Sequence, residues 1–133
     1  MEDRQAQISR RRNRIEKALR RAVAHGLRFA YGAKAAHEVL KALSDERKSR
    51  LSPFSYDDMW TYMYFSDLRT IIDKHWPAFD RFFTADKAKV IQYLEHVDLG
   101  RAADAHGREI SEEDHQFLMT CFKRLEEQLA AYM

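Results

Sequence analysis

A chain of 133 residues with 45% hydrophobic and 33% charged side chains is a globular mixture long enough to bury one core, which excludes a disordered tail or a fibrous repeat. No run approaches the ~18 apolar residues of a membrane span and no short apolar stretch has signal-peptide flanks, so no membrane association and a cytoplasmic address are expected. The net charge of +2 hides a division, because residues 1–50 hold 14 of the 23 basic side chains and only 6 of the 21 acidic ones. Such a basic half suits a polyanion, or the acidic half of a neighbouring copy.

Four Gly and two Pro are few, and they point to long elements with short connections. From Arg4 to Leu43 the residues Ile15, Leu19, Ala22, Gly26, Phe29, Ala33, Ala36, Leu40 and Leu43 recur at helical spacing, predicting one amphipathic helix. Gly26 and Gly32 fall inside it, so a break or a close helix crossing is expected at one of them. Arg10, Arg14, Lys17, Arg21 and Arg28 form a basic stripe on another face, either a solvated surface or a set of phosphate contacts. Residues 45–55 are polar, contain Pro53 and read as a loop. Ser55 or Tyr56 then opens a helix carrying Met59, Trp60, Tyr62, Met63, Tyr64 and Phe65. Ser66 is the expected cap of the next stretch, with Leu68, Ile71 and Ile72 turned inward. Pro77 suits the first turn of a short helix holding Phe79, Phe82 and Phe83. Aromatics at this spacing are read as core rather than as a base-stacking platform.

Thr84 is the expected cap of a helix with Asp86 in its first turn and Val90, Leu94 and Val97 on its apolar stripe. Gly107 would end it. Ser111 and Asp114 resemble a capping box that opens a last helix through Leu118, Phe122, Leu125 and Leu129. The only cysteine, Cys121, lies on that apolar run and reads as a core thiol. The expected fold is all-α: an antiparallel bundle of about four main helices plus one or two short ones. It forms a single domain over 1–133, with a basic segment at 1–50 and the remaining helices over 56–132.

Arg101 occupies the next position after Val97 on an apolar stripe, where a guanidinium must be paired, reach water or meet a partner. Asp98 and Asp104 are the nearby carboxylates. His106 follows five residues later, about 140° around a continuous helix. The two side chains converge only if the helix ends between them, or if another element shares their cleft. The six His and one Cys show no metal-ligand spacing, so no metal and no cofactor are expected.

Arg101-x4-His106 near the end of a long helix, followed by a turn and a Ser-Glu-Glu-Asp helix start, resembles the R-x(4–6)-H motif of the HEPN superfamily. Ser66 to Trp76, Phe79, Phe82, Phe83 and Leu99 to Gly107 resemble the branch found at the C-terminus of a messenger-surveillance endonuclease and in many bacterial proteins. The similarity runs from Tyr56 to Leu129. It implies a homodimer whose motifs face a common cleft, and a metal-independent endoribonuclease. In that reaction His106 takes the 2′-OH proton, Arg101 steadies the phosphorane, and Asp104 supports them. Arg108, with Arg10, Arg14, Lys17, Arg21 and Arg28, would contact RNA. Ala102 stands where many active members carry a polar residue, and Arg108 where the toxin branch carries Tyr. The endoribonuclease would serve as toxin or effector of a defence or stress system, with an antitoxin or a larger complex as its protein partner. The alternatives are a non-catalytic module binding RNA, nucleotide or a protein partner, and a structural helical adaptor.

Overall fold

The computed structural model describes residues 4–105 and 111–133, the side chains of residues 99–105 excepted, and every regular element among them is helical. Helix α1 spans Arg4–Tyr31, unbroken by proline and rich in Arg, Ala and Leu, all good helix formers. Ile8, Ile15, Ala18, Leu19, Ala22, Val23 and Leu27 bury its inner face. Phe29, expected on that face, is 88% exposed. The chain turns just beyond it, and α2 (Ala35–Ala42) folds back on α1, so burial shifts around the helix to Leu27.

The two glycines divide the expected roles between them. Gly32 has φ +56°, a left-handed conformation that only glycine adopts without strain, and it begins a 3-10 turn, Gly32–Lys34, that ends α1. Gly26 stays helical and gives way to a neighbour: a Cβ there would lie 2.7 Å from Cε1 of Phe79. After the break the inward phase has moved. Ala35, Val39 and Ala42 are buried, Ala33 is exposed, and Ala36 and Leu40 are only partly covered.

Residues 45–51 are not the expected loop but helix α3 (Asp45–Leu51). Ser44 Oγ accepts the Arg47 N–H at 3.3 Å, Asp45 and Glu46 face the positive helix end, and Leu51 is buried. The aromatic segment is shorter than its composition suggests: α4 (Tyr56–Met59), capped by Ser55, runs into a 3-10 turn at Trp60–Tyr62. Met63 and Tyr64 are then extended, and α5 spans Phe65–Lys74. Its N-cap is Tyr64, whose N–H donates to Asp67 Oδ2 at 2.9 Å, rather than Ser66. Pro77 sits in the 3-10 turn Trp76–Ala78. Helix α6 (Lys87–Ala105) is capped by Asp86, whose Oδ1 accepts the Lys89 N–H at 2.9 Å. Thr84, expected in that role, instead exchanges two 2.6 Å hydrogen bonds with the Gln128 amide. Ser111 opens α7 (Glu112–Gln128) by accepting the Asp114 N–H at 3.1 Å.

The elements form an all-α bundle around one core. Thr84 beside Gln128 and His96 against Phe117 set α6 antiparallel to α7. Arg12 beside Asp98, with Gly26 on Phe79 in the segment leading into α6, sets α6 antiparallel to α1 as well. Met59, Trp60, Met63, Phe65, Phe79 and Phe83 are buried, so most of the aromatic run is core as expected. Tyr62 and Tyr64 remain more than half exposed. Val90, Leu94, Val97, Leu118, Phe122, Leu125 and Leu129 are buried. Cys121 is a fully buried thiol, and burial pushes its pKa up to about 11. No helix among the described residues is long and apolar enough to cross a membrane.

Gly26→Ala is expected to lower the melting temperature. The overpacking cost of about 1–3 kcal/mol exceeds the gain of roughly 1 kcal/mol in helix propensity. Adding Phe79→Leu, which removes the clashing ring edge, should recover part of the loss in urea titrations. Cys121 should react with iodoacetamide only under unfolding conditions, since a buried thiol held near pKa 11 offers almost no thiolate at pH 8.

Candidate functional site

The residues singled out by sequence fall into two groups. Arg101 and Asp104 lie on α6, which is helical through Ala105; their side chains, and His106, Gly107 and Arg108 altogether, lie outside the described residues. Arg10, Arg14, Lys17, Arg21 and Arg28 are all exposed on α1, on the side away from Ile15, Leu19 and Ala22. Eighteen residues of helix separate the first from the last, about 27 Å at ~1.5 Å per residue. Arg21 and Arg28 are among those tethered. Arg21 donates to the Tyr132 carbonyl at 3.5 Å, and Arg28 lies 3.6 Å from Asp57 with its guanidinium over the Tyr56 ring.

Asp98, three residues before Arg101, lies 3.8 Å from Arg12. Arg12 is buried, 3.8 Å from Glu16 as well, and its guanidinium covers the Phe65 ring at 5.2 Å. Charge, aromatic face and helix contact therefore join α1, α5 and α6 one turn below Arg101. At the top of α7, Glu112 accepts from Arg4 at 2.5 Å, and that bond holds its carboxyl below the usual range. The N-terminal half of α1 thus adjoins the end of α6 and the start of α7. Among the described residues no three His, Cys, Asp or Glu side chains gather where they could hold a metal ion.

The most heavily constrained polar centre is one that sequence reading passed over. Asp67, on α5 and 4% exposed, accepts from Arg47 Nε at 3.0 and 3.2 Å and from the Tyr64 N–H, and Arg47 Nη2 lies 2.8 Å from its Oδ2 as an ion pair. Arg47 Nη2 donates as well to the Tyr62 carbonyl at 2.9 Å, and its guanidinium stacks 3.9 Å from the Tyr64 ring centroid. The hydrogen bond to Asp67 raises the Arg47 pKa above its ordinary value, against the opposing effect of burial. One ion pair therefore sets α3, the extended Met63–Tyr64 link and the start of α5 relative to one another.

Beside this pair a cleft of about 520 Å³ opens between α1, α3 and the link, with Glu16, Arg20, Arg47, Arg50, Tyr62 and Tyr64 in its lining. Phe54 and Tyr62 stack at 4.2 Å and 14° along it. Arg20 donates to the Met63 carbonyl at 3.0 Å and lies 3.5 Å from Glu16; its Nε is buried and makes no hydrogen bond. The signal missed in the sequence was Arg47 with Asp67, twenty residues apart across a segment read as loop. Neither residue sits on a motif.

The chain matches no protein-family model, no curated protein and no solved structure.

Asp67→Ala should destabilise the fold by about 3–5 kcal/mol, because it strands the Arg47 guanidinium in a largely buried place. Asp67→Asn keeps two acceptor contacts in reach and should lose less, about 1–3 kcal/mol. Equilibrium urea unfolding reads both, and equal losses would mean that the charge of Asp67 carries the whole effect and its hydrogen-bond acceptors none.

Proposed function

We propose that this chain is a HEPN-type helical protein that acts on RNA as a metal-independent endoribonuclease. The observation that carries the RNA reading is the exposed basic face of α1, where five cations line one side of a 28-residue helix whose other side is committed to the core. Such an array neutralises successive phosphates and displaces their counterions without reading sequence.

Catalysis rests on the resemblance at Arg101 and His106. His106 removes the proton of a ribose 2′-OH, and that oxygen attacks the adjacent phosphorus. The 5′-oxygen leaves, giving a 2′,3′-cyclic phosphate and a 5′-hydroxyl end. Arg101 places a bidentate positive charge where the phosphorane oxygens gain negative charge. Asp104 orients the pair and Arg108 adds a phosphate contact. The motif is completed by a second copy across a two-fold axis, so the active species is a homodimer. Ala102 favours a second reading, a non-catalytic module that holds RNA or a protein partner through the same surfaces.

In EDTA, micromolar protein should cut single-stranded RNA to cyclic-phosphate ends, and His106→Ala should abolish this. Salt-sensitive binding with no cleavage by either protein would select the non-catalytic module. Charge reversal at Arg10, Arg14 and Arg21 should weaken binding and flatten its salt dependence, by about 0.7 units of slope for each phosphate of the single strand no longer neutralised. Sedimentation should show a dimer; a monomer at assay concentration would exclude a composite cleft.

A further inference from the structure

We propose that the cleft between α1, α3 and the Met63–Tyr64 link binds a nucleoside monophosphate group, as a second site whose described lining holds none of the residues assigned to RNA cleavage. Three guanidiniums, of Arg20, Arg47 and Arg50, line it against one carboxylate, Glu16. Glu16 lies 3.5 Å from Arg20 and 3.8 Å from Arg12, and Asp67 pairs with Arg47, so the cleft's surplus positive charge is that of Arg50. The three arginines are not equally engaged. Arg47 is pinned by Asp67 and the Tyr62 carbonyl through Nε and Nη2, which leaves Nη1 making no hydrogen bond among the described residues. Arg20 is fixed through Nη2 on the Met63 carbonyl. Arg50, exposed in the last turn of α3, makes no hydrogen bond or ion pair among the described residues.

Two guanidiniums anchored by their own hydrogen bonds and a third that can swing in make a preorganised acceptor for a phosphate, whose oxygens match the planar fork of arginine. Arginines held in place lose little entropy on binding, so the site need not be assembled at the ligand's expense. The aromatic lining adds a second requirement. Tyr62 lies flat on Phe54 and is 52% exposed, and Tyr64, 58% exposed, is covered by Arg47. A lone inorganic anion would use none of that surface. A flat ring attached to the phosphate would stack on it, and stacking on tyrosine tolerates any base. The volume of about 520 Å³ falls within the ~300–1,000 Å³ of small-ligand clefts. Fixed cations and half-exposed aromatics within one lining are the two halves of nucleotide recognition.

The ligand group can come from a free mononucleotide or from the 5′-phosphorylated end of an RNA strand, and calorimetric titration of the full chain separates them. The probes are AMP, adenosine, inorganic phosphate, and a short RNA with either a 5′-phosphate or a 5′-hydroxyl. AMP should bind at least tenfold more tightly than adenosine or phosphate. Arg50→Ala should weaken it about tenfold, the effect of removing one charge-assisted hydrogen bond. Tyr62→Ala should cost a similar factor because the base no longer stacks. Both side chains are exposed, so melting should hardly change. Arg14→Ala with Lys17→Ala, on the outer face of α1, should leave AMP binding intact. Equal affinity for 5′-phosphorylated and 5′-hydroxyl RNA alongside tight AMP binding identifies a free-nucleotide site, and a preference for 5′-phosphorylated over 5′-hydroxyl RNA identifies a strand-end site. Absence of binding at millimolar AMP and at high micromolar 5′-phosphorylated RNA overturns the proposal, as does phosphate binding as tightly as AMP, or affinity unmoved by Arg50→Ala and Tyr62→Ala. RNA cleavage at the other site is measured independently, so failure of either reading leaves the other standing.

Discussion

Asp67 carries its negative charge almost out of contact with water, and the chain around it is arranged to make that tolerable. Burying a carboxylate costs several kcal/mol unless hydrogen bonds and an opposite charge replace its hydration. Here Arg47 Nε and the Tyr64 N–H supply the hydrogen bonds, and the Arg47 guanidinium at 2.8 Å supplies the charge. Those donors come from different parts of the chain, so satisfying one carboxylate ties together α3, the extended link and the first turn of α5. The same contacts end the aromatic segment at Tyr62 and start α5 after Tyr64, since Asp67 acts at once as ion-pair partner and as helix cap. The cleft beside them follows from this arrangement. Had the segment continued as one helix from Tyr56, Tyr62 and Tyr64 would not flank a turn.

Helix α1 is the other organising element, and it is divided lengthwise. One side carries Ile15, Leu19, Ala22 and Val23 into the core and brings Arg12 against Asp98 and Phe65. The opposite side keeps Arg10, Arg14 and Lys17 in water. Glu16 and Arg20 lie between these faces and form one wall of the cleft. The basic residues of the first fifty positions are therefore not one surface. They divide into an outer stripe, a buried tie to α6 and a partly buried cluster beside α3. A net-charge argument cannot separate these roles, because it counts arginines without their partners.

Much of the architecture followed from residue pattern alone. The all-helical class, the inward positions Val90, Leu94 and Val97, Leu118, Phe122 and Leu125, the Ser111 cap and the buried Cys121 were legible because helical periodicity and capping are local. A break or close crossing at the two glycines was legible too, though only the structure assigns the break to Gly32 and the crossing to Gly26. The misplaced caps, Thr84 for Asp86 and Ser66 for Tyr64, have one cause. Each expected residue was a good cap by type, but the hydrogen bond that starts the helix came from an acidic side chain nearby.

Which residues prefer helix, and which of them turn inward, is written in residue type and spacing, since both depend on neighbours within one or two turns. That Phe29 stays in water, that residues 45–51 are helix, and that Arg20, Arg47 and Arg50 share a cleft with two tyrosines emerges only when the helices pack. Those outcomes depend on what packs opposite. The pairing of Arg47 with Asp67 is settled by the desolvation of a buried charge, an energy that exists only once the chain has closed around it.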